Sequence, residues 1–70
     1  MAKAMTISAS QAIKVARDTA KAAGYDAKVT DTNYDEDEEE YEVELEDDDG
    51  IIITITMDAE TGEVTELTTD

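Results

Sequence analysis

Tyr41-Glu42-Val43-Glu44-Leu45-Glu46 alternates strictly, with Tyr, Val and Leu on one side and three Glu on the other. A period of two is that of a strand with one face buried and one in water. Asp47-Asp48-Asp49-Gly50 follows as turn chemistry. The next run puts Ile51, Ile53, Ile55 and Met57 on one face and Ile52, Thr54 and Thr56 on the other, the most β-prone stretch of the chain. Two alternating runs around a short polar turn predict an antiparallel hairpin, and the rest is read outward from it.

Downstream, Asp58-Ala59-Glu60-Thr61-Gly62 is a second turn, leading to a last strand that carries Val64 and Leu67. These two differ in parity, so a bulge separates them or one of them faces out. Upstream, residues 27–34 form a weaker strand around Val29, and residues 35–40 an acidic connection.

Further upstream, Ile7-Ser8-Ala9-Ser10-Gln11-Ala12 reads as a helix start. Ser8 is the N-cap, Gln11 the returning arm of a capping box, and Ile7 a staple toward Ala12. Gly24 is expected as the C-cap. At 100° per residue, one arc collects Ala9, Ala12, Ile13, Val15, Ala16, Thr19, Ala20 and Ala23; Ser10, Gln11, Lys14, Arg17, Asp18 and Lys21 fill the other side. Small residues let a helix approach a sheet closely but supply little burial, so the sheet must carry most of the core. The expected fold is α+β: one N-terminal amphipathic helix on an antiparallel meander of three or four strands. Residues 1–70 are expected to be one domain, with the helix at about 8–23 and strands at about 27–34, 41–46, 51–57 and 63–68.

Composition by itself points elsewhere. The chain has 70 residues, 20 Asp+Glu against 5 Lys+Arg, a formal charge of −15, and only twelve Leu, Ile, Val and Phe. That combination lies in the window of disordered chains, and only the periodicity argues for a fold. All five basic residues fall within residues 1–28, and residues 29–70 hold 18 acids and no base. A nucleic-acid backbone is excluded as a ligand for such a surface. There is no Cys and no His, which removes disulfides, thiolate metal sites and the commonest general base. No apolar run reaches the ~20 residues of a membrane span, and residues 1–6 lack a signal peptide's hydrophobic stretch, so a soluble chain is expected.

Candidate chemistry is sparse. The carboxylates lie on an exposed strand face and in loops, whereas general acid work needs a desolvated carboxyl. Ser8 and Ser10 have no His partner. Aligning Gly50 with the sixth position of an EF-hand loop puts Leu45 at the first and Thr56 at the twelfth, where Asp and Glu are required, so that reading fails. Weak, unspecific divalent binding by residues 35–40 or 47–49 stands against a plain solvated charge run. No cofactor, no resident metal and no enzymatic activity are expected.

The outer sheet face is the best surface for a partner, with Glu42, Glu44, Ile52 and Thr54 as the binding residues. The bland reading is that its like charges keep a β-prone hairpin from associating. Lys14, Arg17 and Lys21 on the helix are expected as counter-charge for the acidic sheet.

The order Ile7-Ser8 with Gln11-Ala12-Ile13 and Val15-Ala16, then Tyr41-Glu42-Val43, then Met57-Asp58-Ala59-Glu60-Thr61-Gly62-Glu63-Val64 resembles the PepSY domain family. The likeness runs from about Ile7 to Leu67, and its most specific part is Tyr-Glu-Val followed by Asp-Ala-x-Thr-Gly-x-Val. The resemblance implies a helix on an antiparallel sheet, no catalytic residues, and occurrence in propeptides of thermolysin-like metallopeptidases and in other extracytoplasmic bacterial proteins. It also implies that the partner is a peptidase or another protein that the domain inhibits or restrains. No membrane contact is expected, since no apolar run is long enough to span one, and a monomer or weak homo-oligomer is expected. Phe, Trp, His, Cys and Pro are all absent. A restricted alphabet with this acidity is also that of a designed, simplified or salt-adapted scaffold with no specific ligand, which is the alternative reading. An acidic decoy for basic proteins is the third.

Overall fold

A computed structural model describes residues 6–70; residues 1–5, on which most of the signal-peptide reading rests, lie outside them. Helix α1 (Ala9–Ala22) precedes strands β1 (Ala27–Asp35), β2 (Glu40–Asp47), β3 (Ile52–Asp58) and β4 (Val64–Thr69). The strands pair antiparallel in the order β1-β2-β3-β4, and α1 packs across β1, β2 and β3. This is the expected α+β meander, with four strands.

The helix begins as its sequence dictates. The Gln11 amide donates to Ser8 Oγ at 3.1 Å, and the Ser8 amide donates to Gln11 Oε1 at 2.8 Å, closing the capping box. Its end differs by one residue from expectation, because Ala23 is the C-cap and Gly24 follows it at φ +94°. The Gly24 amide donates to the Lys21 carbonyl and the Tyr25 amide to the Ala20 carbonyl, the paired bonds of a Schellman ending. Left-handed backbone is needed just past the cap, and glycine takes it without steric cost.

The buried face is also narrower than the predicted arc. Ala12, Ala16 and Ala20 are fully buried; Ile13, Val15 and Thr19 are half-buried, while Ala9 and Ala23 are exposed. A single i, i+4, i+8 row of methyl groups faces the sheet, so the helix lies close to it.

The sheet supplies the bulk of the core. Tyr41 pairs with Met57, Val43 with Ile55, and Leu45 with Ile53. All six are buried, five of them completely. Each large aliphatic buried this way contributes about 1.5–3 kcal/mol of transfer free energy, and four of the chain's twelve, Val43, Leu45, Ile53 and Ile55, are fully buried here. Ile51 corrects the expectation that it shares this face: it precedes β3 and is 36% exposed. Its backbone closes the hairpin instead, its carbonyl accepting from the Asp47 amide and its own amide donating to Asp47 Oδ1.

Two bulges reset the alternation. Met57 pairs with Val64 and Thr56 with Glu66, so Thr65 is the extra residue, and Val64 and Leu67 both face inward. Of the two readings of that parity, the bulge holds. A second bulge was not expected: Val29 pairs with Leu45 and Asp31 with Glu44, leaving Thr30 unpaired. It turns Thr32 and Tyr34 to the inner face, where the Tyr34 ring lies 5.1 Å from that of Tyr41.

The acidic runs build the turns. Asp35, Asp47 and Asp58 are the last residues of β1, β2 and β3. Each accepts two amides of the following turn on Oδ1: Asp37 and Glu38, Asp49 and Ile51, Glu60 and Thr61. A carboxylate at a strand end thus replaces the ladder bonds that the turning backbone cannot make.

Candidate functional site

Residues 58–62 join three parts of the molecule. Ala59, fully buried, accepts the Ile7 amide on its carbonyl at 2.6 Å and donates its own amide to the Glu39 carbonyl at 2.9 Å. The Tyr41 hydroxyl donates to the Ile7 carbonyl at 3.0 Å. The chain entering α1 is therefore tied to β2 and to the β3–β4 turn. Glu39 adopts φ +53°, a left-handed conformation uncommon for a non-glycine residue. Gly62, at φ +78°, returns the chain to β4 with Ile7 and Val15 beside it. The Tyr, Asp-Ala and Thr-Gly residues that stand out in the sequence are thus a structural junction, with no reacting group among them.

The opposite face of the sheet is the candidate interaction surface. β2 presents Glu40, Glu42, Glu44 and Glu46 on it. Asp35, Asn33, Asp31 and Lys28 stand opposite these from β1, and Asp58, Thr56, Thr54 and Ile52 from β3. Glu66 and Thr68 of β4 extend the face beside Thr56 and Thr54.

The four residues singled out from the sequence lie together. Glu44 and Thr54 are direct cross-strand partners; Glu42 is one rung away on one side and Ile52 one rung away on the other. At ~3.4 Å per residue, the group spans about 14 Å along the strands. Glu44, Ile52 and Thr54 are half-buried and Glu42 is exposed. The bulge at Thr30 has a consequence here, since the Thr30 hydroxyl lies 3.2 Å from both the backbone carbonyl and Oε1 of Glu44. That contact holds one carboxylate of the face in place. Glu42 also borders a shallow open depression with Asn33, Tyr34, Asp35, Glu36 and Asp37.

Lys14, Arg17 and Lys21 do not act as contact counter-ions for this face. They project from the helix layer, and the salt bridge they form among the described residues is Lys14 to Asp18, 3.4 Å apart and within the helix. The physical reason is layering, because the helix's polar side must point away from the sheet that its alanines touch. The molecule is consequently polarised, basic on the helix side and acidic on the sheet side.

Nothing here assembles a reaction centre. Among the described residues no charged or polar side chain is buried, and no three Asp or Glu side chains gather as metal ligands. Ser8 Oγ is engaged in its cap, and Ser10 is exposed. No described helix is long and apolar enough to cross a membrane.

Compared with known proteins, residues 6–68 match the family model of PepSY, the peptidase propeptide and YPEB domain. No curated protein and no solved structure matches the chain. The family match covers nearly all of the sequence, the helix start, the Tyr41 strand and the junction at residues 58–62 included, and the chain belongs to the PepSY family.

Proposed function

We propose that residues 1–70 act as one non-catalytic binding module that contacts a peptidase or another extracytoplasmic protein through the outer sheet face, centred on Glu42, Glu44, Ile52 and Thr54. PepSY domains are generally propeptide-like or inhibitory modules without catalysis, typically extracytoplasmic. The observation that carries the reading is the family match over residues 6–68. Layering supports the site: α1 covers the inner face of the sheet, and the outer face sets Thr54, Thr56 and Ile52 of β3 beside the carboxylate row of β2. Such a mixed strip supplies both burial and charge selection to a protein partner. The module works as a monomer or weak homo-oligomer, with no nucleic acid and no cofactor.

The test is binding to, and inhibition of, a thermolysin-like metallopeptidase at several salt concentrations. Micromolar binding that Glu42→Lys and Glu44→Lys weaken, and that Lys14→Glu leaves intact, supports the site. Absence of binding at micromolar concentration in every salt condition refutes the function. A second reading, a salt-tuned scaffold without a ligand, is favoured by the −15 charge together with the absence of buried charge among the described residues. It predicts salt stabilisation and no binding.

A further inference from the structure

We propose that the open edge of β4 is a strand-addition site for an extended segment in which apolar residues alternate with lysine or arginine. Ile52 and Asp70 exchange both backbone bonds, so the ladder makes Thr54–Thr68 and Thr56–Glu66 the hydrogen-bonded pairs of β3 and β4. Leu67 and Thr69 occupy the alternate positions, and their amides and carbonyls point away from β3. They form a regular donor and acceptor row beyond the bulge at Thr65.

The other edge is a poorer template. β1 carries its bulge at Thr30, interrupting any added ladder, and bears Lys28, Asp31 and Asp35. Charges and bulges of that kind are how sheet edges are protected from pairing. β4 has a single charge, Glu66, and is otherwise Val, Leu and three Thr.

The side chains define the occupant. α1 packs over β1, β2 and β3, and beyond it Val64 and Leu67 remain half-buried on the inner face. An added strand sets every second residue beside them, so those residues must be apolar. Its remaining residues stand beside Glu66 and Thr68 on the outer face, three strand spacings (~14 Å) from the carboxylates of β2 and within the field of the −18 segment, residues 29–70. Those residues must be basic. A second copy is repelled as a like charge, since each chain carries −15. The edge site uses the outward amides of Leu67 and Thr69 and the charge of Glu66, whereas the peptidase reading centres on Glu42, Glu44, Ile52 and Thr54 of β2 and β3, so the inference stands apart from it.

The probe is a capped decapeptide of alternating valine and lysine, with a capped decalysine for comparison, followed by amide exchange and chemical shifts on the whole chain. At a free concentration ten times its Kd, the alternating peptide should slow exchange at Leu67 and Thr69 about tenfold. Glu66→Lys should weaken it about tenfold, the loss of one charge-assisted contact. Thr69→Pro removes an outward amide while sparing the bonds to β3, and should also weaken binding. Glu42→Lys should leave the β4 protection in place. The proposal is overturned if neither peptide binds, if both shift only the β2 glutamates, or if decalysine protects Leu67 and Thr69 equally. A dimer with those amides already protected before peptide is added overturns it as well.

Discussion

Replacing Ala16 with leucine sets two physical arguments against each other. Composition says that a chain with twelve large aliphatics should gain from a thirteenth, because three added carbons carry about 2.4 kcal/mol of transfer free energy at ~0.8 per methylene. Packing says the reverse. Ala16 is 0% exposed, between Ala12 and Ala20 in the row that sets the helix against the sheet, over residues that are themselves fully buried. No space receives the larger side chain, so α1 must retreat or the introduced leucine must leave its rotamer. Retreat would loosen the Tyr41 hydroxyl bond to Ile7 and the Ile7 bond to Ala59 at the helix start. Overpacking of this kind outweighs the transfer gain and leaves a net cost of about 1–3 kcal/mol. Against a total stability of roughly 4–10 kcal/mol for this length, that is a large fraction. Urea unfolding in constant salt measures it: with a slope of about 1 kcal/mol per molar, the midpoint should fall by at least about 1 M. Ala22→Leu, on the exposed side of the same helix, should stay within about 0.5 kcal/mol of the parent. A midpoint for Ala16→Leu equal to or above that of the parent, with an unchanged slope, refutes the view that the alanine row sets the helix-to-sheet distance.

Three further outcomes are expected. Tyr41→Phe removes the donor to the Ile7 carbonyl and should cost about 1 kcal/mol, read as a fall of roughly 4–8 °C in Tm, with an unchanged Tm refuting the junction's role. Glu39→Gly relieves a left-handed φ of +53° and should stabilise by about 0.5–1 kcal/mol in the same urea assay; destabilisation would show that the Glu39 side chain matters more than its backbone. Raising NaCl from ~0.01 M to ~1 M shortens the Debye length from ~30 Å to ~3 Å and should raise Tm, because Asp31 and Glu44, Asp35 and Glu40, and Glu40 and Asp58 stand directly opposite each other as like charges. A Tm independent of salt contradicts it.

The hairpin and the outer face were legible because period two depends only on neighbours along the chain. Glu42, Glu44, Ile52 and Thr54 could be placed on one surface because a short turn constrains the register of the strands that flank it. The helix start was legible for the same local reason, since Ser8 and Gln11 are three residues apart. The turn aspartates at 35, 47 and 58 had a readable signal, an Asp closing each strand, but it was masked by the acids around it. The bulge at Thr30 had a weaker signal: Val29 and Tyr34 differ in parity as Val64 and Leu67 do, but Tyr34, 44% exposed at the strand's end, is not compelled to face inward by burial.

Sequence by itself determined the alternating faces, the turns, the capped helix, and a charge that separates residues 1–28 from the rest. Those features follow from local geometry and count. Only the tertiary structure decided that Ile51 is exposed while Ala59 is buried, that the helix cations point away from the sheet, and that Tyr41 reaches Ile7 across 34 positions. It also decided which strands lie at the two edges of the sheet. The reason is common to all of these: each depends on where the helix comes to rest on the sheet, a contact between distant residues that no local period encodes.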